Sequence, residues 1–330
     1  MLLHYGFTGQ SVVSCGNSED MMPNCDHEEA DTRIVVHILH ALEHGATTVQ
    51  VRTVDTDVIA ILVGAYHNLI VTNPAAEIWI AFGMGKNFSF YNIGSICSSL
   101  GDHKARALPV FHAFTGCDQT SSFVGKGKKS GWQAWQAYDE VTQAFVAIAS
   151  TPFQLISVES PTFKLLERYT VILYDKASAS SSVNETRMTL FCHRSCAMEK
   201  LPPTQVTLRP IQQSLIHFVI FILTVSYNGT DFYPLHKQDA LLQHALRVIY
   251  QAGVWCTSHQ ALQSLPSPET FAWTKVCGKN GYRPLWITIP EVSCTCRQLI
   301  RCACKGNCTS CKCGKASLNC TRVCKCKCAK

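Results

Sequence analysis

Eleven of the nineteen cysteines fall between Cys294 and Cys328, in a stretch almost empty of apolar side chains. Such a stretch has no core to hold it, so its folding free energy must come from another source. Disulfides belong to oxidising compartments. No basic leader with an apolar run precedes the body here, so reduced thiolates binding metal are the expectation. Cys302 to Cys328 supplies nine thiolates. Three tetrahedral zincs need twelve ligand positions, which nine sulfurs fill if three of them bridge. Thiolate–zinc bonds then fold the segment outright.

Charge is as uneven as cysteine. Residues 294–330 carry nine Lys or Arg and no Asp or Glu, whereas the chain as a whole is +6. The body is therefore mildly acidic and the tail basic even after zinc is counted. A cationic surface of this kind fits contact with a phosphate backbone. Lys305, Lys312, Lys315, Arg322, Lys325 and Lys327 are the expected DNA contacts. Cys302, Cys304, Cys308, Cys311, Cys313, Cys320, Cys324, Cys326 and Cys328 are the expected zinc ligands, with Cys294 and Cys296 extra. The spacing from Cys302-Ala-Cys304 through Cys311-Lys-Cys313 to Cys324-Lys-Cys326 resembles the tesmin-type CXC domain, a zinc-binding DNA-contact module. Its ending, Cys326-Lys-Cys328, is one residue tighter than is usual there. A metallothionein-like metal store is the competing reading of the tail.

The first half alternates strand and helix signals. Ser11–Ser14 is β-like, and 27–44 has an apolar stripe at Ile34, Val35, Ile38, Leu39 and Leu42 closed by Gly45. Thr47–Val54, Glu77–Phe82 and Phe88–Ile93 read as strands; Val58–Leu69 and most of Ile96–Phe114 read as helices. This order predicts an α/β domain over 1–149 with a mainly parallel sheet. A poorly defined helical and linker region is expected over 150–290, and the cysteine module over 291–330. Ala177–Val183 reads as a serine-rich linker. The apolar residues 206–237 read as inserted sequence that packs poorly.

Carboxylates stand at the punctuation of this pattern. Glu29 and Asp31 open a helix, Asp55 and Asp57 sit where a strand gives way to a helix, and Asp118 follows another helix. Carboxyl ends of parallel strands gather on one edge, where ligands bind. Oxygen ligands converging there suit a hard cation such as Mg²⁺ or Mn²⁺. Two such ions about 3.5–4 Å apart activate water and stabilise a leaving phosphodiester oxygen. Taken singly, Glu29 and Asp31 also suit a helix N-terminus, and Asp55 or Asp57 an N-cap.

In combination, Glu29-Ala30-Asp31, Asp55-x-Asp57 and Gly116-Cys117-Asp118 with Gly125-Lys126-Gly127-Lys128 resemble the flap-endonuclease branch of the PIN-like nucleases. The resemblance implies that Glu29, Asp31, Asp55, Asp57 and Asp118 are divalent-metal ligands. It implies that Gly125, Lys126, Gly127, Lys128 and Lys129 form a turn gripping duplex phosphates, a role that backbone amides at a helix N-terminus can fill. The phrases at 27–33, 52–58 and 112–118 are similar to a group of animal, transposon-associated proteins that join such a domain to a CXC tail. PIN-like nucleases carry an earlier strand with an Asp ligand, for which this chain starts too late; a domain truncated at its N-terminus, with impaired metal binding, is the expectation. His112 and the tryptophans 132, 135, 255, 273 and 286 read as packing residues. The sequence thus points to a nuclear, DNA-associated protein without a membrane segment. It is either a structure-specific nuclease or an inactive, nuclease-like scaffold.

Overall fold

The computed structural model describes residues 24–192, 201–203, 241–276 and 281–285, and the backbone of His4–Thr8 and Ser11–Cys15. The cysteine tail, the segment 206–237 and Trp286 lie outside the described residues. The protein is mixed α/β, with nine α-helices and small sheets among the described residues. No described helix is long and apolar enough to cross a membrane.

Two compact units interleave in sequence. The first comprises Met1–Thr120, Glu140–Leu155 and Leu246–Lys275; the second comprises Ser121–Asp139, Ile156–Ala245 and Val276–Lys330.

In the first unit, β1 (His4–Thr8) and β2 (Ser11–Cys15) form an antiparallel pair. The main sheet holds β3 (Thr48–Thr53), β4 (Glu77–Phe82) and β5 (Ser89–Asn92), in that order. β3 and β4 run parallel, with Thr53 opposite Phe82. β4 and β5 run antiparallel, with Phe82 opposite Ser89. The sheet is therefore mixed, where the sequence pattern led us to expect it mainly parallel. Chain length decides this: a parallel return needs a crossover of a dozen or more residues, and only six separate β4 from β5. Gly83, with φ of +84, starts the reversal, and a Cβ there would meet the Asn87 carbonyl oxygen.

The helices of this unit bury their apolar stripes. In α1 (Ala30–Glu43), Val35, Ile38 and Leu42 are buried, as the stripe predicts, and Gly45 donates back to the Leu42 carbonyl to end the helix. α2 (Thr56–Thr72) buries Val58, Ile61, Leu62, Val63 and Leu69, more than one stripe, so it is the central helix. The expected helix 96–114 is two, α3 (Ile93–Leu100) and α4 (Asp102–Phe114), broken at Gly101. Phe111 and Phe114 of α4 meet Phe145 of α6 (Val141–Ser150) at ring separations of 6.2 and 6.0 Å.

In the second unit, α5 (Lys128–Ala137) and α7 (Pro161–Tyr174) are joined by a buried bond, Tyr169 Oη donating to the Gly131 carbonyl at 2.9 Å. α8 (Val183–Cys192) follows the serine-rich stretch. That stretch is pinned rather than free, since Arg168 donates to the Ser178 carbonyl at 2.8 Å. Buried Glu167 accepts from the Val183 amide at 3.0 Å, and buried Arg187 donates to the Pro202 carbonyl. The ninth helix, α9 (Leu241–Cys256), contributes Leu246–Cys256 to the first unit.

Candidate metal-binding carboxylate site

Where β3 ends, the chain passes through Asp55 into α2. The Asp55 amide donates to Thr53 Oγ1 at 3.0 Å, and its carboxylate accepts the Asp57 amide at 2.9 Å. Asp55 is thus the N-cap of α2, a position for which aspartate is among the best residues. The cap fixes the strand-to-helix corner and sets Asp57 in the first turn of α2. His112, near the end of α4, donates from Nε2 to Asp57 Oδ1 at 2.7 Å.

Glu29 is the N-cap residue of α1 but makes no side-chain cap bond. Its carboxylate turns instead to α9. Gln251 Nε2 donates to its two oxygens at 3.1 and 3.3 Å, and Trp255 Nε1 donates to Oε2 at 3.3 Å. Gln251 and Trp255 are four residues apart on one helix, so both face the same way. The Trp255 ring also lies 6.0 Å from that of His112.

Asp31, in the first turn of α1, is half-buried. Its pKa is pushed up to about 6, first by burial and then by the charges of Asp55, Glu29, Asp57 and Asp118. Those causes are geometric information. The five carboxylates come from three separate segments, and the other four lie close enough to Asp31 to act on it. Asp118 is exposed, in the loop after α4, and its neighbour Cys117 is bonded to Thr120 at 3.1 Å. Burial raises the Cys117 thiol, and the Asp57 charge adds to the effect.

Like charges held together in a half-buried place are unfavourable unless a cation offsets them. Asp57 accepts from His112, and Glu29 accepts from two neutral donors; among the described residues no cation acts on Asp31. An all-oxygen donor set with excess negative charge fits a hard divalent cation in composition. As the side chains stand, no three described His, Cys, Asp or Glu form a metal-binding group. Two of the acids, Glu29 and Asp57, are turned towards protein donors.

The Gly125–Lys129 turn belongs to the second unit. Gly125 has φ of +69, and the Lys126 amide donates to the Phe123 carbonyl at 2.9 Å, closing a tight turn. Gly127 is the N-cap of α5, and Lys128 and Lys129 open the helix with no acid in the first turn. Lys126 Nζ sits 5.3 Å from the Tyr174 ring centroid. Amides and cations therefore gather at a helix N-terminus. The tail residues, from Cys302 to Cys328 with Lys305, Lys312, Lys315, Arg322, Lys325 and Lys327, lie outside the described residues.

Reading the sequence for packing missed three site residues. His112 and Trp255 are buried, but each also holds a carboxylate, and Gln251 drew no attention. The available signal was a glutamine and an indole N–H at i, i+4 on one helix. No protein-family model, curated protein or solved structure matches the chain.

Proposed function

We propose that this chain is a nuclear, DNA-associated protein with a nuclease-like acidic site for Mg²⁺ or Mn²⁺ and a zinc-dependent, DNA-contacting tail. The single observation that carries the first half is the grouping of Glu29, Asp55, Asp57 and Asp118 around Asp31, whose pKa is held up at about 6 first by burial and then by their charges. Five acids grouped near one strand end have the composition of a site for a hard cation and a phosphodiester. The PIN-like, flap-endonuclease-type reading of the domain and the CXC-type reading of 291–330 rest on the motifs quoted above.

Bound divalent metal would supply activated water and charge neutralisation at the phosphate. The chain's own part is to hold oxygens ready. Asp31, Asp55 and Asp118 would offer carboxylates. Gln251 and Trp255 orient Glu29, and His112 orients Asp57. Gly125, Lys126, Gly127, Lys128 and Lys129 would meet backbone phosphate, and the tail would tether the protein to DNA.

Incubation of flap, bubble and single-stranded DNA with the protein and Mg²⁺ or Mn²⁺ tests the nuclease reading. Cleavage is expected, and it should be lost in an Asp55→Asn/Asp57→Asn variant; asparagine keeps the helix cap, so the fold should survive. No cleavage by either protein would leave the second reading, an inactive nuclease-like scaffold. That reading is favoured by the engagement of Glu29 and Asp57 with protein donors and by the lack of a ready metal cage among the described residues. For the tail, about three bound zincs per chain are expected, and a chain without zinc would refute it.

A further inference from the structure

Histidine is bunched along α1, at His37, His40 and the C-cap residue His44. Spacings of three and four set the three on one face of the helix. His37 is buried and packs with the core. His40 is half-buried and His44 exposed, so this face opens to solvent at the last turn. There the two rings come together, with centroids 4.1 Å apart and planes tilted by 36°. Four residues is the spacing at which two imidazoles on one helix can share a metal ion.

Hydrogen bonding fixes where the proton of one ring sits. His44 Nδ1 lies 2.7 Å from the His40 carbonyl oxygen. A carbonyl only accepts, so Nδ1 carries the proton, and in the neutral ring the lone pair is on Nε2. Metal-binding histidines are commonly set in this way, one ring nitrogen donating to a backbone carbonyl while the other meets the ion. The His44 amide donates to the same carbonyl at 3.1 Å, so the ring and backbone of His44 are anchored at one point. The pair also stands at the C-terminal end of α1, where the helix dipole favours positive charge. Two metal–nitrogen bonds of about 2.0–2.1 Å span roughly the distance between the ring centres, so one ion can reach both rings. Asp31 precedes His40 by nine residues, about 14 Å of helix rise, which separates the pair from the carboxylate edge.

We infer that His40 and His44 form a metal site of their own, a two-histidine chelate for a first-row ion such as Zn²⁺ or Ni²⁺ at the last turn of α1. Imidazole suits these ions, whereas Mg²⁺, Ca²⁺ and Mn²⁺ prefer oxygen. No three described His, Cys, Asp or Glu form a metal-binding group, so the protein supplies two ligands and water completes the shell. The bound ion ties together residues one turn apart and holds the end of α1 against fraying. The inference does not rest on the proposed function, since it uses neither the acids nor the cysteine tail.

Full-length protein is equilibrated with Zn²⁺, passed through a desalting column and titrated calorimetrically with Ni²⁺ in excess Mg²⁺, which takes oxygen ligands and leaves imidazole alone. Wild type should show a binding event that His40→Gln and His44→Gln each weaken about tenfold or more, because a chelate needs both rings. Glutamine is a good helix former, so circular dichroism should be unchanged. Ni²⁺ should raise the thermal midpoint of wild type and leave that of either variant where it was. His103→Gln, at an exposed position on α4, should titrate as wild type does. Equal Ni²⁺ binding by wild type and either pair variant, or none by wild type, overturns the site. An equal loss in His103→Gln also overturns it, because the binding would then be scattered over surface histidines. No cleavage is read, so the result is separable from that of the nuclease assay.

Discussion

The interior of the second unit and the carboxylate edge of the first handle charge in opposite ways. In the second unit, buried Glu167 and Arg187 each serve the backbone, one accepting the Val183 amide and the other donating to the Pro202 carbonyl. Burial lowers the Arg187 pKa to about 10, yet the side chain remains a cation with a fixed partner. At the carboxylate edge, four other acids lie near Asp31, and among the described residues no cation acts on it. Charge that ties backbone together is scaffold. A half-buried acid among other acids is unfavourable in itself, and it is at such places that perturbed acids mark function.

The contrast can be broken by mutation. The largest effect is expected at the scaffold. Arg187→Ala removes a buried donor and leaves the Pro202 carbonyl unsatisfied, so urea unfolding should show a loss of about 3 kcal/mol. A loss below about 1 kcal/mol would mean that this arginine does not hold the unit together.

Asp31→Asn should do the reverse. Its folded-state pKa lies above the ordinary 3.8, so the folded chain binds the extra proton and stability falls as pH rises from 3.8 through about 6. Above that range the ionised carboxylate destabilises the fold by a constant amount. In EDTA at pH 7.5 the variant should be more stable by about 1–2 kcal/mol, discounted for the half-exposed site. The gain should vanish near pH 4, where wild type is protonated as well. A gain independent of pH would break the link to charge.

Trp255→Phe keeps the buried ring and removes one donor to Glu29, a bond of 3.3 Å. A stability cost of about 1 kcal/mol is expected from denaturant midpoints. Lys129→Ala, at an exposed position opening α5, should change stability by less than about 0.5 kcal/mol. A loss of duplex binding in that variant with stability intact would sharpen the phosphate role of the Gly125–Lys129 turn.

Much of the carboxylate edge was legible in sequence because its parts are local. An alternating Val49–Val51 strand, an Asx residue and an apolar helical run specify the β3–Asp55–α2 corner within 25 residues, and Gly45 closes α1 as its position suggests. The supports were not legible, because they are distant. Gln251 and Trp255 reach Glu29 across 222 and 226 positions, and no local pattern encodes such a pairing. His112 was read as packing because it is packed; that it also holds Asp57 depends on where α4 crosses α2. The direction of β5 was readable from the loop length, but the strand pattern alone favoured a parallel sheet. The cysteine-rich tail, whose spacing is the strongest pattern in the sequence, lies outside the described residues.

The claim that the carboxylate edge is kept for a divalent cation is tested most directly by calorimetric titration of zinc-loaded, full-length protein with Mn²⁺ at pH 7.5, beside Asp31→Asn. Wild type should show one or two carboxylate-type binding events that the variant loses or weakens about tenfold or more. Identical titrations of the two proteins, or no Mn²⁺ binding by wild type, would contradict it.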